Sequence, residues 1–374
     1  MAEFIMVACD LHDESMVLKV AQGRNDSEKV TARNTSVGRR RLIADLQARA
    51  QRLGGAQILF AYEASGQGFG LYDELTEAGI QCHVLAPSKI PHSAQRKRQK
   101  TDERDAEDIL QLLRAHVLAG NPLPSVWIPT LQTRDDRELV RARLDAAEKA
   151  AAIKTQIKSL LKRNRLTRPE GLKSAWSKKS RNWLRATSRD PALGEGTRAA
   201  LASLLRQWEA LDQEIDQLEQ SLKTLADSPR YAAMVGELVK MPGVGVLTAM
   251  TFLTEMGDLA RFSNRRQIGA YLGLAPQCYE SGAANDRKGH ITRQGQPRVR
   301  RVLCQAVWTR VRKGGCEHEA YQQQVARNPK HKKIAVVATM RRLGVKMWHT
   351  ALAAHPNARP GGERRQTVAT APAG

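Results

Sequence analysis

Asp102 and Asp105 stand three residues apart in the stretch Lys100-Thr101-Asp102-Glu103-Arg104-Asp105-Ala106-Glu107-Asp108. Apolar residues at Ile109, Leu110, Leu112 and Leu113 follow, so a helix is expected to open here with both carboxylates on one face. Such a pair at a helix start can hold a hard cation such as Mg²⁺. An ordinary acidic first turn that complements the helix dipole would look the same. The wider pattern bears on the choice. Residues 4–9 form a continuous apolar run that ends at Asp10, and Ile58–Tyr62 form another that ends at Glu63. Each reads as a buried strand with a carboxylate at its C-terminal tip. Ligands of open α/β sheets bind outside the carboxyl ends of the strands. Carboxylates gathered there repel one another unless a cation neutralises them. Divalent ions held in that way stabilise the attacking and leaving oxygens of a phosphodiester. Asp13, Glu103, Glu107 and Asp108 read as surface or supporting groups.

A sheet and a late helix must position this set. Met16–Val20, Lys29–Arg33 and Cys82–Leu85 read as further strands, and helices are expected around 42–53 and 71–78. The order is three strands, helix, strand, helix, strand, helix, which matches the ribonuclease-H-like layout. A basic loop with Lys89, Arg96, Lys97, Arg98 and Lys100 precedes the last helix.

The chain has 374 residues, with 60 Lys+Arg against 38 Asp+Glu and a formal charge of +22. That excess predicts a polyanionic partner, nucleic acid before anionic membrane. Five scattered Cys form no CxxC pair, so neither a disulfide framework nor a zinc site is expected. No stretch reads as a signal peptide or a membrane span, and the expected location is the cytoplasm.

Pro122, Pro124 and Pro129 mark the exit from the first domain, 1–122. A helical linker and coiled coil are expected over 130–230. Within it, Leu201, Leu204, Trp208, Leu211, Ile215, Leu218, Leu222 and Leu225 form an unbroken heptad seam. Its partner is either an antiparallel helix of the same chain, for which 131–166 is the candidate, or a second protomer. A homo-oligomer, dimer or tetramer, is the preferred expectation. Residues 167–197 are polar and interrupted. Trp176 and Trp183 sit there among basic residues, and would either stack on RNA bases or pack a small subdomain. A mainly helical domain is expected over 231–352, and a disordered Gly/Pro/Arg-rich tail over 353–374. Met241-Pro242-Gly243-Val244-Gly245 reads as a helix-hairpin-helix turn that suits a DNA phosphate, or as a plain hairpin of two helices. From Asn285 to Lys346 there are 16 Lys/Arg against three acids. Arg287, Lys288, Arg293, Arg298, Arg300 and Arg301 are the candidates there for holding a phosphate, as are Arg96, Lys97 and Arg98 in the first domain.

Asp10, the word Ala-Tyr-Glu-Ala-Ser-Gly at 61–66 and Lys-Thr-Asp-Glu-Arg-Asp-Ala at 100–106 resemble the DEDD signature of RuvC-like transposases of the insertion-sequence-110 family. Ile268-Gly269-Ala270-Tyr271-Leu272-Gly273-Leu274-Ala275-Pro276 and Gln277-Cys278-Tyr279-Glu280-Ser281-Gly282 resemble that family's second module. After Asp10 the chain reads Leu11-His12-Asp13, where many members carry a Lys or another polar pattern. The resemblance spans about 4–120 and 235–350. It implies an α/β RNase H-like (RuvC-like) domain, a coiled coil and a mainly helical transposase domain. It implies Mg²⁺ held by Asp10, Glu63, Asp102 and Asp105. It also implies DNA strand cleavage, exchange and rejoining through a covalent Ser281–DNA link, guided by a noncoding bridge RNA, on donor and target DNA. Read from its residues alone, Ser281 is an ordinary turn serine. Two alternatives stand beside this reading. One is a metal-dependent, Holliday-junction-resolvase-like nuclease without a Ser nucleophile, and the other is a non-catalytic nucleic-acid-binding scaffold.

Overall fold

A computed structural model describes residues 4–91, 102–172, 174–279, 287–314, 316–327 and 329–355. Two compact units divide the chain, Met1–Ile128 and Pro129–Gly374.

The first unit runs β1 (Phe4–Leu11), β2 (Ser15–Gln22), β3 (Glu28–Arg33), α1 (Ser36–Arg52), β4 (Gln57–Glu63), α2 (Gly70–Glu77), β5 (Gln81–Leu85) and α3 (Asp102–Ala119). The strands form one mixed sheet in the order β3-β2-β1-β4-β5. β1, β2 and β3 pair antiparallel, while β4 and β5 add to β1 in parallel. Alternation along the strands sorts the side chains into two cores. Ile5, Val7, Cys9, Ile58, Phe60 and Tyr62 pack on the side that also buries Leu42 and Leu46 of α1 and Leu71 and Leu75 of α2. Met6, Ala8, Leu59 and Ala61 face the other way, onto Ile109, Leu110 and Leu113 of α3. Those three α3 side chains are at most 1% exposed. Each contributes about 1.5–3 kcal/mol by leaving water, so the turns behind it fix where the first turn of α3 lies.

The second unit contains α4 (Leu131–Arg163), α5 (Lys178–Thr187), α6 (Glu195–Ala226), α7 (Ala232–Val239), α8 (Val246–Met256), α9 (Arg265–Tyr271), β6 (Pro276–Tyr279), β7 (Arg287–Ile291), α10 (Pro297–Lys313), α11 (Cys316–Arg327) and α12 (Lys332–Ala353). The heptad seam of α6 lies against α4. Leu201, Leu205 and Trp208 meet Ile153, Ile157 and Leu160, while Leu222 and Ala226 share a core with Val140 and Leu144. The start of one helix thus meets the end of the other, and the pair is antiparallel. Residues 167–197, polar and interrupted in sequence, include α5, whose start is capped by the Ser177 hydroxyl accepting from the Ser180 amide. Trp176 packs edge-on against Trp208 with ring centroids 5.1 Å apart, and Trp208 is 1% exposed. Of the two readings of this aromatic group, the packed subdomain is the one the structure contains. Of the tail 353–374, everything after His355 lies outside the described residues.

α8 is buried along its last two turns, and Glu255 within it is 0% exposed. Its carboxylate takes a two-pronged hydrogen bond from Arg141, at 2.9 and 3.2 Å. Arg137 lies 3.8 Å away and donates to the carbonyls of Thr254 and Glu255. A buried pair of this kind adds little net stability over a hydrophobic replacement, yet removing one partner strands the other. Glu255→Ala is therefore expected to cost about 3–5 kcal/mol, read as a lowered denaturant midpoint. An unchanged midpoint would mean that water reaches the two guanidinium groups.

Candidate active site

The parallel register of β1 and β4 pairs Cys9 with Tyr62 as its last step. Asp10 and Glu63 are the next residue on each strand. Asp10 shares a face with Met6 and Ala8, and Glu63 shares it with Leu59 and Ala61, so both belong to the face that α3 covers. Asp102 and Asp105 lie in the first turn of that helix. The Asp10 side chain is 15% exposed and that of Asp102 is 58%. Glu63 and Asp105 are half-buried. Burial raises the Asp10 carboxyl above its ordinary value, and the nearby charges of Asp105 and Asp102 push the same way, while His12 opposes them.

Glu103 fixes the start of α3 in place. Its carboxylate accepts from Lys19 of β2 at 2.7 Å and from Lys29 of β3 at 2.9 Å. Those hydrogen bonds lower its pKa to about 2. The sequence reading left Glu103 as a surface or supporting group, and the structure gives it the second role. His12, which in the sequence stands only as part of Leu11-His12-Asp13, joins the same group of acids. The imidazole Nε2 lies 3.1 Å from Asp10 Oδ2 and 3.4 Å from Asp102 Oδ2. Ligand atoms of Asp10, His12 and Asp102 all lie within 4.8 Å of one another. Two carboxylates and an imidazole at that spacing form a donor set that fits a divalent ion. The signal in the sequence was a His two residues past a strand-tip Asp, a spacing that also occurs in any exposed turn.

The other expected contacts are distributed differently. Arg96, Lys97, Arg98 and Ser281 lie outside the described residues. The backbone of Arg287 and Lys288 belongs to β7, where they pair with Tyr279 and Cys278. Arg293 is exposed and holds a left-handed φ of 55°. Three arginines proposed for phosphate are engaged inside the unit. Arg298 donates to Asp145 and Arg301 to Glu148, both on α4, and Arg300 donates to the carbonyls of Leu272 and Gly295.

The turn between α7 and α8 is rigid. Gly243 has φ +79°, and a Cβ there would sit 2.6 Å from the carbonyl oxygen of Ala306. Arg310, 3% exposed, donates to the carbonyl of Pro242. Lys240 and Lys313 line the cavity beside the turn. Gly245, the residue that opens α8, brings no side chain to cap the helix start.

Among the described residues, no helix is long and apolar enough to cross a membrane.

Known proteins resemble the chain in both units. A transposase family model of the DEDD type of IS110 elements matches residues 7–164. The model of the transposase IS116/IS110/IS902 family matches residues 236–322. A Sinorhizobium fredii protein with the transposase name y4qE is 32% identical over 280 residues, 74% of this chain, and the match spans 63% of that relative's length. The transposase for insertion sequence element IS1533 of Leptospira borgpetersenii is 24% identical over 313 residues, 81% of this chain and 84% of its own. A pilin gene-inverting protein of Moraxella bovis is 26% identical over 167 residues, 44% of this chain and 50% of its own. The first model covers the four carboxylates and runs on through α4, the second covers the module that contains Ser281, in the order the motifs have in the sequence, and the chain belongs to the IS110 family of transposases.

Proposed function

We propose that this chain cuts, exchanges and rejoins DNA strands at the ends of an insertion sequence, and that its first unit is a RuvC-like, RNase H-like domain. The observation that carries the reading is the convergence of Asp10 and Glu63, by register, with Asp102 and Asp105 on one end of the sheet. The sheet order β3-β2-β1-β4-β5, antiparallel on one side of β1 and parallel on the other, supports the fold assignment. Asp10, Glu63, Asp102 and Asp105 would hold Mg²⁺, which would supply positive charge against the oxygens of a phosphodiester.

Ser281 is the proposed nucleophile. Its Oγ forms a bond to phosphorus and gives up its proton, the bond from phosphorus to the leaving sugar oxygen breaks, and that oxygen takes up a proton. The phosphoserine link keeps the bond energy, so a second strand end can displace the serine without ATP. The exposed Arg293, with Arg287 and Lys288 on β7, would hold the attacked phosphate. The start of α8, which Gly245 leaves without a side-chain cap, shares a cavity with Lys240 and Lys313 and would suit a DNA backbone phosphate. The +22 charge supports two polyanions at once, the DNA and a noncoding bridge RNA that guides target choice. Leu211 and Ile215 pack only in part against the core shared with α4, and Leu218 is half-buried, so this part of the heptad seam would have surface to offer a second protomer.

The test uses the full-length protein, the element's adjacent noncoding RNA and a labelled DNA end. With Mg²⁺, a protein–DNA adduct that survives denaturation is expected, and a chelator should prevent it. Cleavage without any adduct would favour the nuclease that lacks a Ser nucleophile.

A further inference from the structure

The imidazole of His12 occupies the wedge between the strand-tip carboxylate and the helix-start carboxylate. Its Nε2 is 3.1 Å from one oxygen and 3.4 Å from the other. Ligand atoms bound at about 2.1 Å to one octahedral ion stand about 3 Å apart when adjacent and about 4.2 Å apart when opposite. The two His12 pairs, at 3.1 and 3.4 Å, have the spacing of adjacent ligands, and all three donor atoms lie within 4.8 Å of one another, so the two carboxylates need only draw in slightly around an ion. A proton on Nε2 can bridge the same oxygens, and a cation can take its place without moving the side chains far.

The loop that carries His12 is held from both sides. The His12 amide donates to the Ser15 carbonyl at 2.9 Å, and the His12 carbonyl accepts from Asn34 Nδ2 at 2.7 Å. Asn34 Oδ1 in turn accepts from Arg39, whose guanidinium is clamped by both oxygens of Glu74. Ligands kept in place by such outer partners lose little freedom on binding metal.

We propose that His12 is a ligand of the metal ion held by Asp10 and Asp102, and that its imidazole tilts the site from Mg²⁺ toward transition-metal ions such as Mn²⁺. This rests on the metal reading of the carboxylates. Mg²⁺ keeps to oxygen donors almost exclusively, whereas first-row transition ions accept an imidazole nitrogen more readily; Mn²⁺ gains least among them, so it shares the carboxylates with Mg²⁺ and still reports the nitrogen. A neutral nitrogen also completes the set without adding a further negative charge to a crowded group of acids.

Mn²⁺ binding to the full-length protein, followed by electron paramagnetic resonance, separates the outcomes. In wild type a ¹⁴N hyperfine coupling from imidazole is expected on bound Mn²⁺. His12→Ala should lose that coupling and bind Mn²⁺ at least about 10-fold more weakly, with a much smaller change for Mg²⁺ measured by competition. His12 is exposed, so the variant should fold, and the wild-type coupling needs no variant at all. Mn²⁺ bound by wild type without ¹⁴N coupling, and equally by His12→Ala but not by Asp10→Asn, would overturn the ligand role while leaving the metal reading intact. Equal Mn²⁺ binding by wild type and Asp10→Asn would overturn both.

Discussion

Ser281→Ala is expected to abolish the protein–DNA adduct and all joined products, a fall of at least about 10⁴-fold, because an alanine methyl offers phosphorus no nucleophile. Ser65, Ser88 and Ser263 lie outside the Tyr-Glu-Ser-Gly word. Sequence places Ser281 two residues past the end of β6, six residues before β7 begins. These strands pair through Tyr279↔Arg287, so the backbone on either side of the intervening segment is tied together. The substitution removes one oxygen atom and leaves the backbone as it is. Metal binding by the first unit should be unaffected, and so should the melting temperature. The informative measurement is therefore three-fold on one preparation: adduct formation, DNA binding and thermal stability. Adduct at wild-type yield from the Ala variant would place the covalent chemistry on another residue or remove it altogether.

The first unit was legible because strands and helices there follow simple periods. The apolar runs before Asp10 and Glu63 mark two central strands; in the structure β4 ends at Glu63 and β1 runs one residue past Asp10, to Leu11. Alternation then fixes which face each acid occupies, a step that needs only the register. The second unit was less legible. The six arginines and lysines after Ser281 have no local pattern that tells them apart. Their fates differ because Asp145 and Glu148 of α4, some 150 residues earlier, take up Arg298 and Arg301, and two backbone carbonyls take up Arg300. Nothing local signals a partner at that separation. The heptad seam stated its own geometry and left its partner open, since α4 carries a longer and less regular pattern. His12 escaped notice for the opposite reason. It lies close to Asp10 in sequence, but only the arrival of Asp102 from α3 gives its nitrogen a second carboxylate.

Asp102→Asn is expected to slow strand cleavage by about 10³-fold or more, in line with the loss of a preorganised electrostatic partner of a phosphoryl group. The Asn side chain keeps the shape, and Asp102 is more than half exposed, so the fold should survive. Asp10→Asn should cost as much activity with a different effect on stability. The folded-state pKa of Asp10 is raised by burial and by its acidic neighbours. A raised carboxyl begins to destabilise the fold as pH climbs past its unfolded value near 3.8, and does so in full above the folded value. At neutral pH without metal, Asp10→Asn is therefore expected to be more stable than wild type, by about 0.5–2 kcal/mol. Saturating metal should reverse the order, since an ion present at about 100 times its dissociation constant stabilises wild type by about 2.7 kcal/mol and the variant hardly at all. Loss of activity together with gained stability cannot be attributed to unfolding. If both Asn variants cleave at the wild-type rate and melt as wild type does with and without metal, the acids at the start of α3 serve only the helix dipole, and the strand tips play no part in the chemistry.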